Sequence, residues 1–338
     1  MIAIESVRVS LDDAMQAAVQ ALLAAGVPAE NAHLQADLLI DAEARGLPSH
    51  GLLRLPRVIE RIRNRVADPV AIGRISWRGD ALASVDGQNG LGPVVGVHAL
   101  DAISERCSNG AGVAAAAVRS CNHLGMLAWY ARRIADRGQV CIAMTTSEAL
   151  MHPYGGRIAM VGSNPIAIGV PAQPRPLVFD MATSLVSMGK IHDHANRKAQ
   201  LAPGWALDED GEETVDAERA KRGSIAPFGG AKGYGLGLAF EVLVTALTGA
   251  ALGRDVVGTL DSIHPSNKGD VFIVAEAGFG EAVSEYLAAV RTSPPVDPAN
   301  PVRAPGDSSD VRRDRAATEG ITLPGALWDE ICTLPLNF

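Results

Sequence analysis

The chain is short of the features that most readily assign a protein to a class. It has only four cysteines in 338 residues, Cys107, Cys121, Cys141 and Cys332, and none forms a C-x-x-C pair. Thiols so few and scattered suit a reduced core better than a disulfide framework or a zinc site. Positive charge is in deficit too, with 30 Lys and Arg against 38 Asp and Glu, a formal net charge of −8. Because the signs are interspersed, no electrostatic footprint for nucleic acid or an anionic membrane is expected, and a small anionic ligand would need a local cationic site. The first eight residues contain neither a basic n-region nor an apolar h-region, so the expected location is the cytoplasm. One run, residues 233–253, approaches the length of a membrane span, but Glu241 sits near its middle among five glycines. It reads as a buried helix or two shorter elements packed in a core.

Signature motifs are missing as well. No G-x-G-x-x-G follows a strand, no G-x-x-x-x-G-K-[ST] occurs, and there is no H-E-x-x-H. The standard dinucleotide, nucleoside triphosphate and zinc-protease readings therefore lack their marks. What remains is a globular chain, 47% hydrophobic and long enough for two domains or one with a large insertion.

The first third is helical in pattern. Ser10 and Asp13 form a capping box and Gly26 ends the helix they open. Pro28 opens a second helix with Ala32, Ala36, Leu39 and Ala42 on one face, and Gly46 stops it. Leu55, Val58, Ile59 and Ile62 mark a third, in which Pro56 is tolerable only near the start. Ser49, His50 and Arg54 thus fall at a helix entrance. Beyond this, short β-rich runs at Leu82–Val85, Gly112–Val118, Val140–Thr145, Leu177–Phe179 and Asp270–Val274 alternate with helical segments at Pro93–Cys107 and Leu124–Arg137, the second closed by Gly138. The class is mixed α/β. Residues 208–223 read as a surface excursion, and the five prolines of residues 292–314 suggest an extended arm across the surface or a partner subunit.

Five motifs follow one another in order. They are Pro48-Ser49-His50-Gly51 with Arg54; Asn122-His123-Leu124-Gly125; Pro153-Tyr154-Gly155-Gly156 through Gly162-Ser163-Asn164-Pro165-Ile166-Ala167; Phe179-Asp180-Met181-Ala182-Thr183-Ser184 to Gly189-Lys190-Ile191; and Pro227-Phe228-Gly229-Gly230-Ala231-Lys232-Gly233-Tyr234-Gly235. Together they resemble the type 2 malate/L-lactate dehydrogenase family, which also contains sulfolactate and ureidoglycolate dehydrogenases and cyclic imino acid reductases. The resemblance spans nearly the whole chain. It implies a homodimer and a non-Rossmann NAD(P)-binding fold with a largely antiparallel sheet plus an N-terminal helical region. NAD or NADP would bind near the subunit interface.

The chemistry gives independent reasons for the residue types. Hydride exchange with a 2-hydroxy acid requires a group for the hydroxyl proton, a cation for the carboxylate and a pocket that excludes water. His123 suits the first role by its near-neutral intrinsic pKa and matches the family's proton acceptor. Arg54 can hold a carboxylate with two parallel hydrogen bonds. His50 and Ser49 are candidates for substrate hydrogen bonding, with helix capping the rival role for Ser49. Asp180 could orient a histidine or bind the nicotinamide carboxamide or ribose. By resemblance Ser147, Asp180, Met181, Ala182, Lys232 and Gly233 fall at cofactor-contacting positions, and Pro305-Gly306-Asp307 resembles a late cofactor-contacting turn, although the family more often has Glu or another residue where Asp307 stands. His192-Asp193-His194 invites a metal reading if the histidines share one face of a strand, but no third ligand is evident. An exposed polar segment accounts for it better, and no metal is expected.

The expected division is an N-terminal helical region over residues 1–75 that contributes substrate-site side chains, a cofactor-binding and catalytic core over 76–290, and a C-terminal arm over 291–338. The expected activity is NAD(P)-dependent interconversion of a small 2-hydroxy acid and its 2-oxo acid, of malate, lactate or sulfolactate type. Reduction of a cyclic imino acid such as piperideine- or pyrroline-2-carboxylate is the alternative, and a catalytically silent binding protein is the reading from another class. The Asn267-Lys268-Gly269-Asp270-Val271-Phe272-Ile273 segment looks most like sulfolactate or malate dehydrogenases. Without the Rossmann acidic residue, nothing in the sequence chooses between NAD and NADP.

Overall fold

The computed structural model describes residues 6–334. Strand β1 (Ser6–Val9) leads into α1 (Leu11–Ala24), where the Ser10 hydroxyl accepts from the Asp13 N–H at 3.0 Å and donates to the Asp13 carboxylate at 2.6 Å. The Ser10 cap thus forms where the spacing predicts, although Asp13 meets the Ser10 hydroxyl rather than its backbone N–H. Helix α2 (Ala29–Ala44) buries Ala32, Ala36, Leu39 and Ala42, all the positions of its expected face. Two single 3₁₀ turns, Pro48–His50 and Leu52–Arg54, then deliver the chain into α3 (Leu55–Arg63), with Pro56 in its first turn, where a missing N–H costs nothing.

The body is built on a seven-stranded sheet. Its strands are β2 (Arg74–Arg78), β3 (Leu82–Asp86), β4 (Val113–Arg119), β5 (Gln139–Thr145), and, after the short β6 (Ala149–Met151) and β7 (Val161–Gly162), β8 (Ile166–Val170), β9 (Leu177–Met181) and the later β13 (Gly269–Glu276), in the order β2-β3-β4-β13-β5-β8-β9. Only β3 and β4 pair parallel; every other neighbour in this sheet is antiparallel. The largely antiparallel, non-Rossmann expectation is met.

The remaining elements pack around that sheet. Helices α4 (Gly92–Arg106) and α5 (Leu127–Ala135) cover one face, where Tyr130, Phe272, Ala143 and Val274 are fully buried. A small excursion follows β9: α6 (Met188–Asn196), β10 (Ala206–Leu207), β11 (Glu213–Thr214), α7 (Ala217–Ala220) and β12 (Ser224–Ile225), which joins β6 and β7 in a second sheet with its own core around Met151, Ile191 and Ile225. Helix α8 (Ala231–Thr248) lies on the other face of the main sheet against Met144 and Val271. The chain closes with α9 (Gly280–Thr292), α10 (Asp307–Glu319), β14 (Ile321–Pro324), which pairs with β1, and α11 (Gly325–Thr333).

Two expectations are corrected. Residues 231–248 form one helix, not two pieces, and it is not a buried one: Gly233, Gly237, Glu241 and Val244 face inward while Leu236, Leu238, Val242 and Leu243 are exposed. Its small residues let it lie close to the sheet along a narrow stripe, and its broad apolar side stays uncovered. Among the described residues no helix is long and apolar enough to cross a membrane. The proline-rich arm is extended only over residues 293–306; from Asp307 the chain is helical, because the last of the five prolines, Pro305, precedes the helix. His192-Asp193-His194 lies within α6 rather than on a strand, so its two histidines point to different sides of a helix, and the described residues hold no cluster of three potential metal ligands.

The sheet's directions place the site. Strand β4 is antiparallel to β13, β13 to β5, β5 to β8 and β8 to β9, so β3, β4, β5 and β9 all run the same way. The segments leaving these four strands, beginning at residues 87, 120, 146 and 182, therefore emerge along one edge. His123, Ser147 and Ala182 belong to three of them.

Candidate active site

At this edge the 48–54 turns and α3 face the segment after β4 across a pocket. His50, Arg54, Arg57, Arg61, Asn122 and His123 are among the side chains that line it. The two histidine rings lie with centroids 5.7 Å apart. Burial, the Arg54 charge and the neighbouring His50, Lys268 and Arg61 hold His123 well below its ordinary pKa. Burial and Arg54 likewise lower His50 to about 4. Both rings are therefore neutral near pH 7.

The position of His123 is set by backbone that only particular residues permit. Gly125, at φ 77°, turns its N–H back onto His123 Nδ1 at 3.0 Å. A Cβ at Gly92 would lie 2.1 Å from the His123 carbonyl oxygen, so α4 can start here only with glycine. Because Nδ1 accepts from Gly125, the neutral ring carries its proton on Nε2. His50 is less constrained. Its Nδ1 meets the Ser49 hydroxyl at 3.0 Å, a group that can donate or accept. The Ser49 side chain is thus engaged by the histidine, and the helix-capping role is not the one it takes.

The three arginines on the α3 side differ sharply. Arg61 is buried and held from three directions, donating to Asn122 Oδ1 at 2.8 Å, the Asp261 carbonyl at 2.5 Å and the His264 carbonyl at 3.1 Å. It ties the segment carrying His123 to the loop after α8. Arg54 donates Nε to the Ser49 carbonyl at 2.8 Å, which leaves the outer fork of its guanidinium for a ligand. Arg57 donates to the Leu260 carbonyl. Among the described residues neither Arg54 nor Arg57 has a carboxylate partner, and burial together with Arg57 lowers the Arg54 pKa. Sequence reasoning found Arg54 but missed Arg57 and Arg61; their i, i+3, i+7 spacing from Arg54 was the available signal.

Ser147, Met181 and Ala182 lie at the strand ends of the same edge, and Gly306 and Asp307 pack further back along β9. Asp180, near the end of β9, accepts from the Ala128 N–H at 2.8 Å at the start of α5, and burial raises it to about 6 against the opposing backbone N–H groups of Ala128 and Leu127. The residue keeps an exposed surface. It touches no histidine, so the histidine-orienting option is not realised. The Ser147 hydroxyl lies 3.3 Å from that of Ser163 and accepts from the Ser163 N–H at 3.0 Å. Met181 and Ala182 are half-buried, leading to the buried Thr183. Lys232 is exposed in the first turn of α8 beside the buried Gly233. Gly306 sits against β9, 3.0 Å from the Val178 carbonyl measured from an added Cβ, and Asp307 is occupied by Arg291 at 2.9 Å through both oxygens and by the Ala304 N–H. Asp307 therefore serves the local fold first, and its pKa is lowered by Arg291.

The malate/L-lactate dehydrogenase family model matches residues 9–332. The chain belongs to that family. An L-sulfolactate dehydrogenase of Methanocaldococcus jannaschii is 36% identical over 279 residues, 80% of each chain. A (2R)-3-sulfolactate dehydrogenase (NADP(+)) of Chromohalobacter salexigens is 33% identical over 328 residues, 96% of each. Among solved structures, a dehydrogenase from Sinorhizobium meliloti superposes with a TM-score of 0.95 at 49% identity, covering 98% of each chain. Relatives named with NAD(+) and with NADP(+) both occur. A Δ1-piperideine-2-carboxylate reductase from Pseudomonas syringae also superposes, with a TM-score of 0.87 at 26% identity over 97% of this chain and 99% of the other. As a malate/L-lactate dehydrogenase family member the protein is an oxidoreductase of the 2-hydroxy acid type that uses NAD or NADP, and the cyclic imino acid alternative is the less supported reading.

Proposed function

We propose that the substrate pair is a 2-hydroxy acid and 2-oxo acid bearing a second anionic group, of the malate or sulfolactate kind. The observation that carries this is the pair Arg54 and Arg57, two guanidinium groups lining one pocket with no carboxylate partner among the described residues. Arg54 is half-buried, so its charge favours an anion, and the exposed Arg57 beside it offers a second cation, so two anionic ends match the pair better than one. Arg54 takes the carboxylate beside the reacting carbon by its free fork, and Arg57 takes the distal group.

The nicotinamide, when bound, supplies or takes the hydride at the substrate's second carbon. Its fit is supported by Lys232 and the first N–H groups of an 18-residue helix, which suit the pyrophosphate, and by Asp180, Met181, Ala182 and Ser147 along the strand ends. In the reducing direction His123 donates an Nε2–H hydrogen bond to the substrate oxygen, stabilising the negative charge that develops there, and the proton that completes the hydroxyl comes from solvent. A second reading gives the proton exchange itself to His50, since the Ser49 hydroxyl permits either tautomer and Gly125 holds His123 in one. On this reading the described part of residues 1–75 brings substrate-binding side chains to a core over 76–290 that holds the cofactor, and the described part of 291–338 is the C-terminal arm.

A homodimer is the proposed assembly, supported by the exposed apolar side of α8 beside Lys232, which a second copy would cover. A reducing cytoplasmic setting is supported by four unpaired cysteines. The decisive assay follows nicotinamide absorbance with oxaloacetate, sulfopyruvate, pyruvate and pyrroline-2-carboxylate, each with NADH and NADPH. The dianions are expected to lead by about tenfold in kcat/KM, the scale of one exposed ionic contact. Equal or faster turnover of pyruvate overturns the dianion reading, and turnover of the imine alone replaces it.

A further inference from the structure

Glu241 is the only carboxylate on the inward stripe of α8, with 3% of its surface exposed, and the reaction has no use for it. Its partners are all donors. Oε2 accepts from the Gly162 N–H at 3.1 Å and from the Asn164 side-chain amide at 2.7 Å, and Oε1 accepts from the Gly253 N–H. Asn164, fully buried, also donates to the Gly237 carbonyl of α8 at 3.0 Å and accepts from the Ser147 N–H at 3.2 Å. Ser163 continues the chain of bonds. Its carbonyl accepts from the N–H and the hydroxyl of Thr183 at 2.7 and 2.9 Å, and its N–H meets the Ser147 hydroxyl. The Thr183 hydroxyl would lie 2.6 Å from a Cβ on Gly237, so α8 rests directly on this residue.

These bonds connect separate pieces of chain that all carry candidate cofactor contacts: Ser147 after β5, Asp180 to Ala182 just before Thr183, and α8 with Lys232 and Gly233 in its first turn. We propose that Asn164 and Glu241 are positioning residues for the nicotinamide cofactor, locking the Ser147 segment, the end of β9 and α8 into one platform. The inference rests on the cofactor placement proposed above. Glu241 is suited to the role because a carboxylate offers only acceptors, and three donors converge on it. A glutamine must turn its amide group toward at least one of them, whichever way it is placed.

The test measures cofactor affinity directly, by quenching of protein fluorescence on titration with NADH and NADPH, alongside separate KM values for cofactor and 2-oxo acid. In Glu241→Gln the dissociation constant for the nucleotide is expected to rise about tenfold, the equivalent of one lost buried hydrogen bond. The KM for the 2-oxo acid and the pH profile should stay near those of the parent. Thr183→Val, nearly isosteric, removes one bond of the same network and supplies the test if Glu241→Gln does not fold; a threefold or greater loss of nucleotide affinity is expected. Unchanged nucleotide affinity in a folded Glu241→Gln, or in Thr183→Val if the former does not fold, overturns the proposal. So does a parallel loss of cofactor and substrate affinity. If the parent protein binds neither nucleotide, it is the cofactor placement that fails.

Discussion

The two halves of the site are built on opposite principles. On the α3 side, charge is left open: Arg54 and Arg57 face the pocket without a carboxylate, and two neutral histidines stand beside them. On the side of β5, β9 and α8, Asn164 and Glu241 are enclosed by mutual hydrogen bonds. Unsatisfied donors are tolerated where a ligand will meet them, and satisfied ones hold the geometry into which a ligand fits. Arg61 shows that the contrast is not one of residue type, since it shares the face of Arg54 and yet has protein acceptors on all sides.

The largest blow to the open half should come from His123→Ala, expected to slow the chemical step by about 100- to 10,000-fold with little change in nucleotide affinity. Single-turnover kinetics checks this, and full retained turnover would pass the role at the substrate oxygen to His50. Arg54→Lys keeps the charge and loses the fork, so kcat/KM for the dianion should fall about 100-fold, mostly through KM. Arg57→Met should cost the dianion roughly tenfold and pyruvate much less, which steady-state comparison of the two substrates resolves. Arg61→Met strands the buried Asn122 amide oxygen and loosens two part-buried loop carbonyls, and should lower stability by about 2 kcal/mol in urea denaturation, marking it as scaffold rather than ligand contact.

The smallest effect is one of pH. Asp180 has a folded pKa raised from 3.8 to about 6, so between these values the folded state holds the extra proton, and any stability this group adds fades as pH rises through that window. His50 runs the other way. Its pKa falls from 6.5 to about 4, so acidification across that window favours the unfolded chain. For binding, ionised Asp180 favours the positively charged oxidised nicotinamide, so affinity for it should rise a few-fold from pH 5 to 7 and that for the reduced form should not. Calorimetric titration of both forms, repeated with Asp180→Asn, checks this: a pH dependence between 5 and 7 that survives the substitution does not come from Asp180.

Much of this arrangement is legible in the order of residues along the chain. The caps at Ser10, Pro28 and Gly46 act locally, and the helices they bound lie where they indicate. Strands β3, β4, β5, β9 and β13 show in β-rich runs, whereas β10, β11 and β12, two residues each, are too short for any alternation to appear. The apolar run at 233–253 misleads for a physical reason: periodicity reports that a face is apolar, not whether the same chain covers it.

The sequence by itself determined the local matters: where helices begin and end, the mixed α/β class, the five ordered motifs and, through them, the family and its chemistry. Only the tertiary structure decided how the parts serve one another. The common direction of β3, β4, β5 and β9 brings distant segments to one edge. Folding also decides that Arg61 is consumed while Arg54 stays open, and that Glu241, which in the sequence interrupts an apolar run, gathers three donors. Hydrogen bonding and charge compensation depend on which groups meet in space, and neither spacing nor propensity along the chain carries that information.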